Sequence, residues 1–251
     1  MNRIRKAIFA VAGISLLTVG LSACGETEQE EKYTSPNFIT ETVKPGEKYT
    51  GKTTEEPEVQ PAGLSEGEPV NKSDVDLSSE TLVGAYDGNT YYNSLAGFAV
   101  TVDGSLWHLY DAAGVARATG QTEDDVNNQW YGVVSPYSLK TTTCAIAYDA
   151  DTGTNLIVSY VNPKLYYMQN MTAREYLEMS ASKYTNAEVI DYDYLGETWS
   201  CLTVDEAQEG VGKRVQFAIR KSDLIVLLTY TLQGDDLLED AASHVTRLVA
   251  G

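Results

Sequence analysis

Hydrophobic and polar residues alternate along much of the C-terminal part of the chain, and this pattern is typical of half-buried antiparallel strands. The stretch GFAVTV places Phe98, Val100 and Val102 on one face, and KRVQFAIR (residues 213–220) repeats the alternation. The stretch LIVLLTYTL (residues 224–232) is apolar on both faces through most of its length. It is therefore predicted to be a central strand.

Short polar segments that favour turns separate these strands and predict hairpins. The three predicted turns are Lys221-Ser222-Asp223, Gly196-Glu197 and Asp151-Thr152-Gly153.

Helical patterns interrupt the strands at three places. A first helix is expected after Trp107. A second is well signalled, because Thr172 and Glu175 have the spacing of a capping box before the run YLEMSASKY. A third is predicted from an aspartate cap at position 235 or 236 through Val249, with an apolar stripe lying on the sheet.

This order of elements predicts an α+β fold, in which an antiparallel β-sheet is covered by helices. The predicted domain spans residues 84–251. Its 168 residues are enough for one domain with its own hydrophobic core.

A different composition precedes that domain. Residues 25–83 hold five of the seven prolines and fourteen acidic residues, with few large aliphatic side chains. Such a segment cannot bury enough apolar surface to fold. Residues 24–83 are therefore predicted to be a disordered acidic linker, and a role of the acidic tract in binding a cation or partner is the alternative.

The first residues have the pattern of an export signal. Arg3, Arg5 and Lys6 precede an apolar run that is shorter than the roughly 20 residues of a membrane-spanning helix. The run ends in LSAC, which resembles the lipobox of bacterial lipoproteins. The resemblance implies a signal peptide over residues 1–23, cleavage between Ala23 and Cys24, and a diacylglyceryl group on Cys24. An ordinary secretory signal is the alternative.

Charge limits the possible partners. Removal of residues 1–23 leaves 15 Lys and Arg against 36 Asp and Glu, a net charge of −21. Such a chain lacks the basic stripe that nucleic acids require, and electrostatics would not hold it on an anionic membrane. The diacylglyceryl group on Cys24 is therefore the predicted membrane anchor, at the extracytoplasmic face of the cell membrane.

The domain also resembles a known family. The stretches YYNSLAGFAVTVDGSLWHL, NLIVSYVNPKL, MTAREYLEMSASKY, VIDYDYLGETWSCLTV and VQFAIRKSDLIVLLTYTLQGDDLLEDAASHVTRLV are similar, in order, to small lipoproteins of Gram-positive bacteria that have a PsbP-like fold. That fold is named for an extrinsic photosystem II subunit. The resemblance implies a helix-covered antiparallel sheet that serves as a binding or accessory module, and it supplies no catalytic residues.

Few residues of the chain have a pattern that indicates catalysis. Neither His108 nor His244 lies in a recognisable motif, and no nucleophile, zinc or phosphate motif occurs. Residues 149–155 fail the calcium-loop pattern and are interpreted as a hairpin turn. Asp191 and Asp193 share one strand face, where solvated surface is the commoner role of paired carboxylates. No catalytic residue, metal site or cofactor is therefore predicted.

Two cysteines remain once Cys24 is assigned to the anchor. Cys144 and Cys201 lie in predicted strands, and an extracytoplasmic location permits a disulfide between them. Two buried free thiols are the alternative.

Aromatic composition is the one unusual feature, with 17 tyrosines against four phenylalanines. Tyrosine combines an apolar ring with a polar tip and suits binding surfaces, although strands also favour aromatic residues. The adjacent pairs that could form a binding surface are Tyr91-Tyr92, Trp130-Tyr131 and Tyr166-Tyr167.

Three functional hypotheses follow. The first is a lipid-anchored, non-enzymatic binding module for a cell-envelope ligand or protein partner, which should expose an aromatic patch. The second is a small extracytoplasmic hydrolase that uses Asp191 and Asp193 with another acid such as Glu197 or Asp205, with or without a metal. The third is a structural spacer.

Overall fold

The computed structural model describes Leu64 and residues 68–184, 186–204, 213–234 and 236–250. The predictions for the signal peptide, for Cys24 and for most of the linker concern residues outside this part. Within the described part, no helix has the length and apolar character needed to cross a bilayer.

Twelve strands of the described residues form two sheets. In chain order they are β1 (Val70–Asn71), β2 (Ala85–Asp87), β3 (Thr90–Asn93), β4 (Phe98–Thr101), β5 (Trp107–Leu109), β6 (Thr141–Asp149), β7 (Asn155–Val161), β8 (Ala187–Tyr194), β9 (Glu197–Val204), β10 (Lys213–Lys221), β11 (Leu224–Leu232) and β12 (Val245–Val249). The smaller sheet has the order β1-β12-β4-β3-β2 and the larger one β5-β6-β7-β11-β10-β9-β8. Neighbouring strands are antiparallel except for the parallel pair β1 and β12.

The strand predictions are confirmed. β11 occupies the middle position of the larger sheet, between β7 and β10, as its two apolar faces predicted. The hairpins β6–β7, β8–β9 and β10–β11 turn at the three predicted segments. In the tight β8–β9 turn, Leu195 and Gly196 both have positive φ angles.

The described α-helices are α1 (Ala112–Thr119), α2 (Glu123–Trp130), α3 (Ala173–Ala181) and α4 (Leu238–Ala242). The helix expected after Trp107 is thus a pair, and each member has a polar N-cap, Asp111 and Thr122. The capping box of α3 is confirmed. The backbone N–H of Glu175 donates to Thr172 Oγ1 (3.1 Å), and that of Thr172 donates to Glu175 Oε2 (2.7 Å).

The third predicted helix is wrong beyond Ala242. Residues 245–249 form β12, which pairs with β4 and places Val245 opposite Val100. Three of these five residues are β-branched and favour extended backbone, and pairing gives their N–H and C=O groups partners. Asp236 does not cap α4 but accepts a hydrogen bond from Thr154 Oγ1.

The main hydrophobic core lies between the two sheets, around Phe98, Trp199, Phe217 and Tyr230. The outer face of the larger sheet is covered by helices. α1 and α2 pack over Ile146 and Ile157, and α3 packs over strand residues that include Leu202 and Ile225. The predicted α+β class with a helix-covered antiparallel sheet is confirmed, and the second sheet is an addition to it.

Ordered structure begins before Gly84, where the sequence predicted linker. Val70, Val75 and Leu77 pack on the outer face of the smaller sheet, against a cluster that contains Leu248. Val83 is 2% exposed, and its carbonyl accepts a hydrogen bond from the Tyr91 hydroxyl. The fold therefore includes residues from Val70 onward, because their few apolar side chains meet a sheet face that needs covering.

Candidate binding surface

The first predicted tyrosine pair does not form a surface. Tyr91 and Tyr92 are 0% and 8% exposed, because β3 is covered on both sides. Tyr91 faces the larger sheet, and its hydroxyl accepts a hydrogen bond from Asn93 Nδ2 (2.6 Å). Burial raises the pKa of this phenol well above its ordinary value. These two residues are part of the core, so this part of the prediction is wrong.

The second pair is divided between interior and surface. The Trp130 ring packs against Tyr86 at a centroid distance of 4.7 Å, and its indole N–H donates to the Thr143 carbonyl (3.3 Å). Tyr131, which directly follows α2, is 77% exposed. Trp130 thus fixes the end of the helix while Tyr131 points into solvent.

The third pair is divided in the same way. The half-buried Tyr166 ring lies 5.3 Å from the ammonium of Lys140. Tyr167 is 95% exposed and has a left-handed backbone, with φ 61°. Its N–H donates to the Lys164 carbonyl (3.2 Å), and the next N–H donates to that of Pro163 (3.0 Å). These bonds hold the turn that presents the Tyr167 ring to solvent.

Tyr131 and Tyr167 belong to two loops at the same end of the larger sheet. One loop, residues 131–140, precedes β6, and the other, residues 162–171, follows β7. Asn162 joins them, since its side-chain amide donates to the Tyr137 carbonyl (2.7 Å) and its backbone N–H donates to that of Lys140 (3.0 Å). We call these two loops the loop end.

Exposed apolar side chains are concentrated at the loop end. It holds six of the nine exposed large hydrophobic residues of the described part, whereas such residues are usually scattered singly. Sequence reasoning missed most of them, although the Pro residues and the lack of regular periodicity mark both segments as loops. The six are Tyr131, Val133, Tyr137, Leu165, Tyr167 and Met168.

The backbone of the loop end is fastened to the sheet. The Arg220 guanidinium, on β10, donates to the Gln169 carbonyl (2.8 Å) and to the Met171 carbonyl. Asn162 and Pro163, at the start of the second loop, are themselves buried. The exposed rings are therefore carried by a backbone with many fixed hydrogen bonds, which lowers the entropy lost on binding.

The loop end also differs from the rest of the chain in charge. Residues 131–140 and 162–171 contain Lys140 and Lys164 but no Asp or Glu, in a chain with 36 acidic residues. The Lys164 side chain is 66% exposed and lies 4.0 Å from Asp223 on the β10–β11 turn. Such an exposed pair is weak, so Lys164 remains accessible to an anionic ligand. Lys140 is also exposed.

The carboxylates considered for catalysis have ordinary surface partners. Asp191 accepts from Arg174 Nη1 (2.9 Å) and Ser200 Oγ (3.2 Å), and Asp193 accepts from Thr198 Oγ1 (3.0 Å). Glu197 pairs with Lys221 Nζ (2.5 Å). Asp205 lies outside the described residues.

Neither histidine lies at a recognisable reactive centre. The His108 ring packs against Tyr148, and the His244 ring packs against Trp107 with Nδ1 at 2.9 Å from the Thr101 carbonyl. Across the described ranges, no group of three or more His, Cys, Asp or Glu side chains is placed to hold a metal ion. The segment from Asp149 is the β6–β7 turn, as predicted.

The two strand cysteines are free thiols. Cys144 on β6 and Cys201 on β9 are separated by three intervening strands, which corresponds to about 19 Å. A disulfide requires Cα atoms within about 7 Å, so Cys144 and Cys201 are not bonded. The alternative of two buried free thiols is the one observed. Burial raises the pKa of both thiols, that of Cys201 to about 12.

Comparisons with known proteins give a weak likeness in structure. No protein-family model matches the chain, and the search of curated proteins finds no match. Among solved structures, the chain is similar to the solution structure of cyanobacterial PsbP (CyanoP) from Synechocystis sp. PCC 6803. The identity is 15% and the TM-score 0.35, over 65% of this chain and 98% of that one. The likeness is weak, and the α+β architecture rests on the sheets and helices described above.

Proposed function

We propose that this protein is a lipid-anchored, extracytoplasmic binding module that recognises its partner through the loop end. The observation that carries the proposal is the concentration of exposed aromatic and aliphatic side chains in two joined loops. Exposed apolar surface of this kind is costly in water and marks interaction sites. Tyrosine rings supply large contact area with few rotatable bonds, which suits recognition.

Tyr167 supports this interpretation most directly. A left-handed backbone is uncommon for a residue with a side chain, and such strain concentrates at functional sites. The ring of Tyr167 is almost fully exposed, so its position adds little to the core. Recognition of a partner would explain why the strained backbone of Tyr167 holds an exposed ring.

The proposed anchor comes from the amino-acid pattern before residue 25. LSAC follows a basic and then apolar segment, so we place the diacylglyceryl group on Cys24. Its test is the intact mass of the protein purified from cell membranes. We expect the wild type to lack residues 1–23 and to carry lipid, and Cys24→Ser to lack lipid. An unprocessed wild type without lipid would overturn the anchor.

Site-specific photo-crosslinking tests the binding surface. A benzophenone amino acid is introduced at position 167 of the full-length protein in cells, and position 237 serves as the control. Leu237 is 59% exposed but lies outside the loop end. We expect defined adducts from position 167 that position 237 does not give. Identical adducts at both positions, or none at either, would contradict recognition by the loop end.

A further inference from the structure

We infer that the partner of the loop end is the anionic surface of the membrane itself. In this docked state the exposed loop residues enter the boundary between headgroups and acyl chains, and Lys140 and Lys164 contact lipid phosphates. The inference rests on the proposed function, because the anchor keeps the domain beside a bilayer. The proposed ligand of the loop end is thus an anionic lipid surface.

The apolar side chains favour a bilayer over a polar polymer. Val133 is 73% exposed, and Leu165 and Met168 are also exposed, yet none of them carries a strong hydrogen-bonding group. A sugar or polyphosphate chain gains little from such side chains, whereas the hydrocarbon boundary accepts them. Tyr131 and Tyr167 supply rings with polar tips, the type of side chain that is enriched at membrane interfaces.

The lysines provide the complementary charge. A lysine side chain can lie along apolar surface while its ammonium reaches the headgroups. Arg220 adds a third cation behind the second loop, and Asp223 is the carboxylate that lies near both Lys164 and Arg220. Among these four side chains, three cations stand against one carboxylate.

The net charge of the whole chain does not prevent this contact. At physiological ionic strength, charges separated by more than about 8 Å are largely screened. Within the two loops the charged residues are Lys140 and Lys164, and Asp223 is a carboxylate at 4.0 Å from Lys164, so cations outnumber this carboxylate where lipid phosphates would approach. The net charge of −21 predicts no electrostatic attachment to an anionic membrane, but it averages over this local difference.

Vesicle flotation tests the inference without the anchor. The protein is residues 24–251 with Cys24→Ser, and the vesicles are phosphatidylcholine, with or without 30% phosphatidylglycerol. We expect it to float with the anionic vesicles and much less with the neutral ones. Since each lysine contributes about 1 kcal/mol near an anionic surface, Lys140→Glu with Lys164→Glu should lower the partition coefficient about tenfold or more.

A second variant tests the apolar contribution, and two others are controls. Tyr131→Ser with Tyr167→Ser should also lower the partition coefficient about tenfold or more. Lys183→Glu and Leu237→Ser change exposed residues outside the loop end and should leave it unchanged. Circular dichroism melts identify any variant that fails to fold.

The inference is overturned by equal binding to neutral and anionic vesicles, by no binding, or by loop-end variants that behave like the controls. Adducts from position 167 to one protein, together with no flotation, would overturn membrane docking and leave the binding module intact. Retention on immobilised poly(glycerol phosphate) without flotation would assign the loop end to an anionic polymer instead. The lipid on Cys24 is measured separately by intact mass, and its absence would overturn the anchor without changing the flotation result.

Discussion

Substitution of Gly84 tests how closely residues 81–84, at the predicted domain boundary, pack against β3. The φ of Gly84 is +105°, and a Cβ added there would lie 2.3 Å from the backbone oxygen of Tyr92 and 2.6 Å from a ring carbon of Tyr91. The backbone oxygen is part of the β-ladder and cannot rotate away. Gly84→Ala must therefore shift either the Gly84 segment or β3.

The expected loss of stability in Gly84→Ala is the sum of two costs. A residue with a Cβ in a left-handed conformation costs about 1–2 kcal/mol. Forcing an extra carbon into a filled core adds about 1–3 kcal/mol. Gly84→Ala should thus lower the free energy of unfolding by about 2–5 kcal/mol, which for a domain of this size lowers Tm by about 10 °C.

Gly120→Ala is the matched control. Gly120 also has a positive φ, +71°, but no atom lies within 4 Å of its added Cβ. Gly120→Ala incurs only the conformational cost, so we expect its free energy of unfolding to fall by about 1–2 kcal/mol. Urea unfolding followed by circular dichroism measures both variants on residues 24–251 with Cys24→Ser. Equal destabilisation of the two would refute the packing of residues 81–84 against β3.

Three further predictions concern buried groups and a turn. Tyr160→Phe should lower the free energy of unfolding by about 1–3 kcal/mol, because it removes the hydroxyl that accepts from Asn93 Nδ2 (2.7 Å) inside the core. Cys144 and Cys201 should resist Ellman's reagent at pH 8 until urea unfolds the protein, since burial raises both pKa values. Asp103 has a pKa lowered to about 2 by backbone N–H donors, so its stabilising effect should fade as pH falls from about 4 towards 2. Asp103→Asn should weaken that part of the acid dependence.

Each of these has an outcome that contradicts it. Wild-type stability in Tyr160→Phe would mean that the hydroxyl network is not formed. Rapid thiol labelling of the native protein would place a cysteine at the surface. The pKa of Asp103 is lower in the folded state than in the unfolded state. Its ionised carboxylate therefore stabilises the fold above the ordinary carboxyl pKa, and this contribution is lost in acid. If the stability of Asp103→Asn falls in acid as much as that of the wild type, Asp103 does not contribute to the acid dependence.

The strands were predictable because alternation and turn residues are local signals. β12 was not, because an apolar stripe at helical spacing also fits residues 237–249, and only the free edge of β4 selects extended backbone. The tyrosine pairs show the same limit. Neighbouring residues of a strand point to opposite faces, so Tyr91 and Tyr92 are both buried only because each face of β3 is covered.

The loop end was only partly predictable. The aromatic pairs pointed to Tyr131 and Tyr167, and the absence of acidic residues from both loops could have drawn attention to the rest. Nothing in the sequence shows that the two loops meet. That juxtaposition depends on β6 beginning beside the end of β7, with Thr141 opposite Val161.

By itself, the sequence determined the antiparallel strands, the position of β11 at the centre of a sheet, and the capping box of α3. These depend on residues a few positions apart, whose spacing is set by backbone geometry. The second sheet, the separation of Cys144 from Cys201 and the contact between the two loops could be seen only in the tertiary structure. Burial and strand pairing depend on residues far apart in the chain, so each segment acquires its final environment only when its distant partners are in place.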